Sequence, residues 1–247
     1  CNNELESEAL ALLPKEALAV GPLVVSTTLT SDIHFWSQDL ASLAWLDAQA
    51  PSSVVYVAFG SYTVFDAARL QELADGLVLT GRPFLWVVRP NSTSGGVDEG
   101  WLDEFRRRVG GKGMVVGWAP QRRVLSHPSV ACFLSHCGWN STIEGVCHGV
   151  PFLCLPYFAD QFLNQNYICD VWGTGVKIRA DEQGVVTKEE IRGKVDRLLG
   201  DEGIKARALS LKSRACASVA DGGPSHQDLL KLVNLLREHV MDNRPDC

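Results

Sequence analysis

The decapeptide HCGWNSTIEG, residues 136 to 145, gathers a histidine, a cysteine, a glycine, a tryptophan, an asparagine, a serine and a glutamate in one short stretch. Such residues serve as metal ligands, nucleophiles, helix caps or phosphate cradles, and their spacing narrows the choice. Cys132, Cys137 and His136 lack zinc-ligand spacing, and no second cluster completes four ligands. No G-x-S-x-G elbow marks a serine hydrolase. The P-loop pattern and the dinucleotide glycine fingerprint are both absent. No D-x-D pair offers to hold a metal on a diphosphate. What remains is Gly138, which permits a tight turn, and a helix beginning at Asn140 and Ser141. The free amides of a first helical turn, with the helix dipole, attract an anion, most naturally a phosphate. His136, just before the turn, can add a hydrogen bond or a charge. The segment STIE is also a capping box, with Ser141 capping and Glu144 reaching back. Capping and phosphate binding use the same helix start and are compatible.

Three further loops place polar residues after apolar runs: Gly60-Ser61, Trp118 to Gln121, and Tyr157 to Gln161. Trp118 reads either as a core aromatic or as a flat platform for a base. Asp160 stands where an N-cap belongs. With Gln161 it also forms a carboxylate-amide pair able to hold several sugar hydroxyls. None of these loops is a site alone; together on one rim they make one.

The elements that must position them alternate. SVVYVAFGS, PFLWVVRP, GMVVGW, VACFLSH, VPFLCLP and TGVKIR read as six short buried strands. DAARLQELADGLVLTG, DEGWLDEFRRRVG, PQRRVLSH, STIEGVCHG and DQFLNQNYICDVWG read as the helices between them. Such alternation implies βαβ crossovers and a doubly wound parallel sheet, α/β in class, with ligands beyond the carboxyl ends of its strands. The loop NSTSGGVDEG is polar and expected to be mobile. Two helices in series follow the last strand, and an amphipathic helix closes the chain. Its Leu229, Leu230, Leu232, Val233, Leu235 and Leu236 are expected to leave some apolar surface uncovered. Residues 1 to 30 fall outside the alternation. LESEALALLP reads as a helix, LAVGPL as a short strand and VSTTLTSDIHFW as a linker, together the exit from another domain. Three parts result: 1–30, 31–223 and 224–247.

The bulk numbers agree with a folded domain and exclude several partners. With 247 residues, 46% hydrophobic and 21% charged, the chain can bury one core, or one domain plus an incomplete neighbour. A net charge of −6 without a Lys/Arg cluster is unsuited to nucleic acid or an anionic membrane. No apolar run approaches the ~20 residues that span a bilayer. The polar, acidic opening CNNELESEAL is no secretory signal, and a chain without an initiator Met reads as cut from something longer. The eight cysteines are scattered without a C-x-x-C pair, several in apolar contexts (Cys132, Cys154, Cys169), which suits a reducing, cytoplasmic compartment. The N-x-S/T triplets at Asn91 and Asn140 are then chance occurrences.

The 44 residues WAPQRRVLSHPSVACFLSHCGWNSTIEGVCHGVPFLCLPYFADQ, Trp118 to Gln161, resemble the signature box of plant secondary product glycosyltransferases nearly throughout. VVYVAFGS, LTGRPFLWVVRP and GVVTKEEIRGKVDRLLGDE resemble the flanks, so the likeness covers essentially the whole chain as the C-terminal half of such an enzyme. The resemblance implies a GT-B architecture, two Rossmann-like domains facing across a cleft, the C-terminal one binding the UDP-sugar. Carried over, it has Trp118 stack on uracil beside the backbone of Ala119, and Gln121 and Glu144 bind the ribose. His136, Asn140, Ser141 and Ser61 would contact the diphosphate after the Gly138 turn. Trp139, Asp160 and Gln161, in and near the loop opened by Tyr157, would address the sugar. A final Gln in the box goes with glucose, so Gln161 favours UDP-glucose. Leu155 departs from the family's usual Trp at what reads as a packing position.

The implied mechanism is inverting displacement, metal-free, with UDP-glucose as co-substrate and a small-molecule acceptor. The acceptor-activating His and its partner Asp belong to the N-terminal domain of such enzymes, so no catalytic base is assigned here and this chain alone is expected to be inactive. His136 instead stabilises departing UDP. The alternative is a stand-alone UDP-sugar-binding module without catalysis.

Overall fold

Short apolar runs, each closed by glycine, proline or a polar residue, become the strands. In the computed structural model, which describes residues 5–14, 17–23, 41–90, 92–93 and 97–242, they are β1 (Val54–Ala58), β2 (Phe84–Val87), β3 (Gly113–Val116), β4 (Val130–Ser135), β5 (Phe152–Cys154) and β6 (Gly175–Lys177). All pair in parallel, in the order β3-β2-β1-β4-β5-β6. Every residue of β1 is buried, as a parallel strand covered on both faces requires. The chain winds outward from β1 in one direction and from β4 in the other, so the two neighbours form the switch point where such sheets open a crevice. The β1–β4 register sets Ala58 opposite Ser135 and brings the loops after them together.

The helices are α1 (Ser7–Leu10), α2 (Ala41–Asp47), α3 (Ala67–Leu79), α4 (Glu99–Val109), α5 (Gln121–Leu125), α6 (Trp139–His148), α7 (Gln161–Asn166), α8 (Lys188–Gly200), α9 (Glu202–Val219) and α10 (Pro224–Asp242). Among the described residues side chains open four of them: Asp66 accepts from the amide of Arg69, Asp98 from Gly100, Thr187 from Glu190 and Asp201 from Ile204. Leu73, Leu77, Trp86, Phe105, Ile191 and Val195 belong to the core that carries the rim loops.

Contacts divide the chain into two units, Ile33–Leu209 and a second made of Cys1–Asp32 with Ser210–Cys247. Within the second, Asp228 accepts from the Ala19 amide (3.0 Å) and from Lys231 (2.9 Å). On α10, Leu230, Leu235 and Leu236 are each more than half exposed.

Three expectations change. LAVGPL forms no strand over its described residues, 18 to 23, where Pro22 lacks an amide to donate to a ladder. LESEALALLP yields only the four-residue α1, and Leu12 beyond it is 88% exposed. DQFLNQNYICDVWG is not one α-helix: α7 passes into a π-helical turn, Tyr167–Val171, with the Trp172 amide reaching back to the Tyr167 carbonyl at 2.7 Å. The linker reading of residues 25–36, the triplet at Asn91 and the tip of the loop at 94–96 lie outside the described residues.

Candidate functional site

The turn after β4 is built by its own side chains. Ser135 Oγ accepts from the Cys137 amide (3.1 Å), and Cys137 adopts φ +63, a conformation rare for a side-chain-bearing residue. The Asn164 amide holds the Cys137 carbonyl (2.9 Å). The chain thus turns early, and α6 starts at Trp139 with Gly138 as N-cap and no side chain capping it. This corrects the capping-box reading. Ser141 is already the third helical residue and Glu144 the sixth, beyond reach of the orphan amides. Among the described residues, the amides of Trp139, Asn140 and Ser141 have no acceptor. A helix start with three free donors attracts an anion.

His136, 9% exposed, is held between two glycines. A Cβ on Gly60 would come within 2.5 Å of His136 Nε2, and one on Gly138 closer still. Gly60 also has φ +67, so it is glycine for two reasons. Nδ1 is buried with no hydrogen-bond partner. Burial pushes the imidazole pKa below its ordinary value; the nearby backbone of Ala58, short of hydrogen-bonding geometry, and the Asp160 carboxylate oppose the fall, while Arg89 adds to it. His136 is therefore a neutral hydrogen-bonding group near neutral pH, not a standing charge.

On the far side of α6, Gln121 Nε2 donates to Ser141 Oγ (2.9 Å) and to Glu144 Oε2 (2.7 Å). Its Oε1 accepts from the buried Tyr56 hydroxyl (3.2 Å). Burial raises the Glu144 carboxyl pKa, countered by the Gln121 hydrogen bond and by Arg122. In the loop after β5, Ala159 is left-handed (φ +54), and Gln161 Oε1 accepts from the amides of Tyr157 (2.8 Å) and Phe158 (3.0 Å). That leaves the Gln161 NH₂ as its free polar end. Asp160 does not cap α7; its carboxylate accepts from Asn164 (2.9 Å), the residue that also grips Cys137.

A cavity of about 210 Å³ opens between these loops. Of the residues singled out from the sequence, Ser61, His136, Gly138, Trp139, Asn140, Ser141 and Gln161 line it. Gln121 and Glu144 join it through Ser141, Tyr157 through its amide on Gln161, and Asp160 through Asn164. Trp118, half-buried, and Ala119, buried, stand after β3 outside the cavity wall. Gly60 and Phe158, from loops already placed on the rim, also line it, as do Tyr62 and Thr63, which were unforeseen. Arg89, likewise unforeseen, ties its guanidinium to the Thr63 carbonyl (3.1 Å) and so braces the Gly60–Thr63 loop. A cation ending the apolar run PFLWVVR was its only signal.

The chain matches known proteins along nearly its full length. It is 44% identical to UDP-glycosyltransferase 83A1 of Arabidopsis thaliana over 97% of this chain and 50% of that one. It is 43% identical to DIMBOA UDP-glucosyltransferase BX8 of Zea mays over 90% of this chain and 48% of that one. Among solved structures, a variant of Os79 from O. sativa in complex with UDP superposes with TM-score 0.84 at 34% identity, covering 94% of this chain and 53% of that one. Phytolacca americana UGT2, complexed with UDP-2-fluoro-glucose and pterostilbene, gives TM-score 0.79 at 33% identity, over 94% and 52%. The chain thus spans about half the length of the relatives it matches. A family model described as UDP-glucoronosyl and UDP-glucosyl transferase matches residues 5–215, and with these relatives it shows that the chain belongs to that family.

Proposed function

We propose that this chain is the donor-binding half of an inverting, metal-independent UDP-glucosyltransferase that moves glucose from UDP-glucose to a hydroxyl of a small plant metabolite. The observation that carries the reading is the start of α6. Three unpaired amides and a neutral His136 face one cavity at the switch point of the sheet. That arrangement takes a diphosphate and spreads its charge over the helix start. The Gln121–Glu144 pair beside it suits a ribose diol, and the Asp160–Gln161 loop suits sugar hydroxyls. Trp118 supplies the base platform. In the reaction the acceptor oxygen attacks the anomeric carbon as its proton passes to a general base on the other half of the enzyme. UDP departs on the opposite side, its growing charge met by the helix amides and His136. The described cysteines are all unpaired, which supports a reducing, cytoplasmic setting.

Calorimetry on this chain with UDP in the presence of EDTA is expected to show binding, and a transferase assay on the same chain is expected to show no turnover. Binding that vanishes with EDTA removes metal independence. Turnover by the chain alone removes the assignment of the base to the other half.

The state of His136 makes a further prediction. Its pKa is depressed in the free protein, and a bound diphosphate favours the imidazolium, so binding raises it. Affinity therefore increases as pH falls from the pKa of the complex toward that of the free chain, with uptake of a proton, and is flat above the former. UDP-glucose is the ligand to use, since its doubly esterified diphosphate does not titrate in this range. Affinities between about pH 5 and 8 should show this rise in the wild type and none in His136→Ala. A pH-independent wild type would mean that the imidazole takes up no proton on binding and meets the diphosphate, if at all, only as a neutral donor.

A further inference from the structure

We propose that Tyr56 is a positioning residue for nucleotide recognition: its buried hydroxyl fixes the Gln121 carboxamide, which turns Ser141 toward the diphosphate and leaves one Glu144 oxygen for the ribose. The inference rests on the reading that Gln121 and Glu144 take the ribose.

Tyr56 lies in the middle of β1, 1% exposed, its ring stacked on Phe133 at 5.0 Å, and it is no part of the cavity wall. A phenol in an otherwise aliphatic strand must find a partner for its oxygen, and the partner is Gln121 Oε1 at 3.2 Å. The carboxamide beyond can sit only one way. Reversed, its oxygen would face Glu144 Oε2, two acceptors at a 2.7 Å separation now bridged by an N–H. With the amide so oriented, Oε1 faces Tyr56 and can only accept, so the phenol donates.

The direction of each hydrogen then propagates outward. Ser141 Oγ accepts from Gln121, so its own hydrogen points elsewhere, and Ser141 lines the cavity at the helix start. Glu144 accepts on Oε2, leaving Oε1 to receive a sugar hydroxyl. The Glu144 carboxylate thus gives the amide its direction and the Tyr56 hydroxyl, donating to Oε1, holds it there, which leaves a donor for the phosphates and an acceptor for the ribose. Burial and the Glu144 charge both push the Tyr56 pKa upward, so the phenol keeps its proton at any working pH.

The test compares UDP with 2′-deoxy-UDP by calorimetry on this chain, with Tyr56→Phe and Glu144→Ala. The wild type should prefer UDP. Tyr56→Phe should weaken UDP about fivefold to tenfold and shrink the preference over the deoxy ligand. A lesser stability with an unchanged preference would mark Tyr56 as structural only and overturn the proposal. If Glu144→Ala abolishes the preference and Tyr56→Phe keeps it, the ribose reading stands and the Tyr56 proposal falls. A wild type without preference overturns both. Should Tyr56→Phe fail to fold, NMR on the unaltered chain decides: contacts from the Gln121 amide protons to Ser141 and Glu144 support the orientation, and contacts to the Tyr56 ring overturn it.

Discussion

His136→Ala is expected to slow sugar transfer by the complete enzyme about 10²- to 10³-fold, roughly 2.7–4 kcal/mol of transition-state stabilisation. The loss should fall mainly on kcat. In the proposed complex the diphosphate would already share its charge among the three free amides of α6 before reaction, with His136 adding one hydrogen bond among several. As the glycosidic bond breaks, charge accumulates on the leaving oxygen, and a fixed donor in a buried site then counts for more than it did in the ground state. His136 suits this because it is pre-positioned: two glycines hold the ring, and burial keeps it neutral until the anion arrives. His136→Gln, which keeps a donor in the slot, should recover part of the rate. The result that would sink the assignment is a KM for UDP-glucose raised by the full factor with kcat unchanged, since that is the signature of uniform binding.

How much of this was legible follows from where the determining forces lie. The strands could be read because both faces of a parallel sheet are buried, so VVYVA, FLWV and VACFLS are nearly unbroken apolar runs. Their order then placed four polar loops on one rim. The pattern STIE puts the N-cap of α6 at Ser141, three residues after the actual cap Gly138, because it satisfies a local rule whereas the chain obeys less local forces. Ser135 captures the Cys137 amide, and Asn164, 27 residues away, holds the Cys137 carbonyl. The π turn after α7 escaped for a similar reason, since nothing in QNYICDV distinguishes a five-residue return from a four-residue one. Tyr56 escaped because a tyrosine in a buried strand looks like any core aromatic until its hydroxyl is seen to meet Gln121. The resemblance named the residues expected to meet the ligand; the structure shows what holds them.

The two glycines around His136 carry the other large expectation. Gly138→Ala should weaken UDP binding about 10- to 100-fold, in keeping with the 1–3 kcal/mol cost of forcing a methyl into a filled site. Gly138 itself has an ordinary backbone, φ −61 and ψ 142, so alanine there is not strained. The conflict is purely steric, because the new Cβ falls on His136 Nε2. A histidine ring could usually swing aside, but Gly60 is also packed on it, so close that a Cβ there would fall 2.5 Å from Nε2, and the ring is 9% exposed. The imidazole must then leave the slot or push the helix start away, and either would remove a proposed diphosphate donor. Gly60→Ala should be worse, since φ +67 adds roughly 1–2 kcal/mol of backbone strain to the same clash. The double variant gives the sharper reading. With His136→Ala in place the slot is vacant and the Gly138 methyl has room. The paired change should therefore bind UDP better than the sum of the two single losses predicts, a coupling expected only of residues in contact. Strictly additive losses in a UDP titration would mean that the glycines do not act through the imidazole.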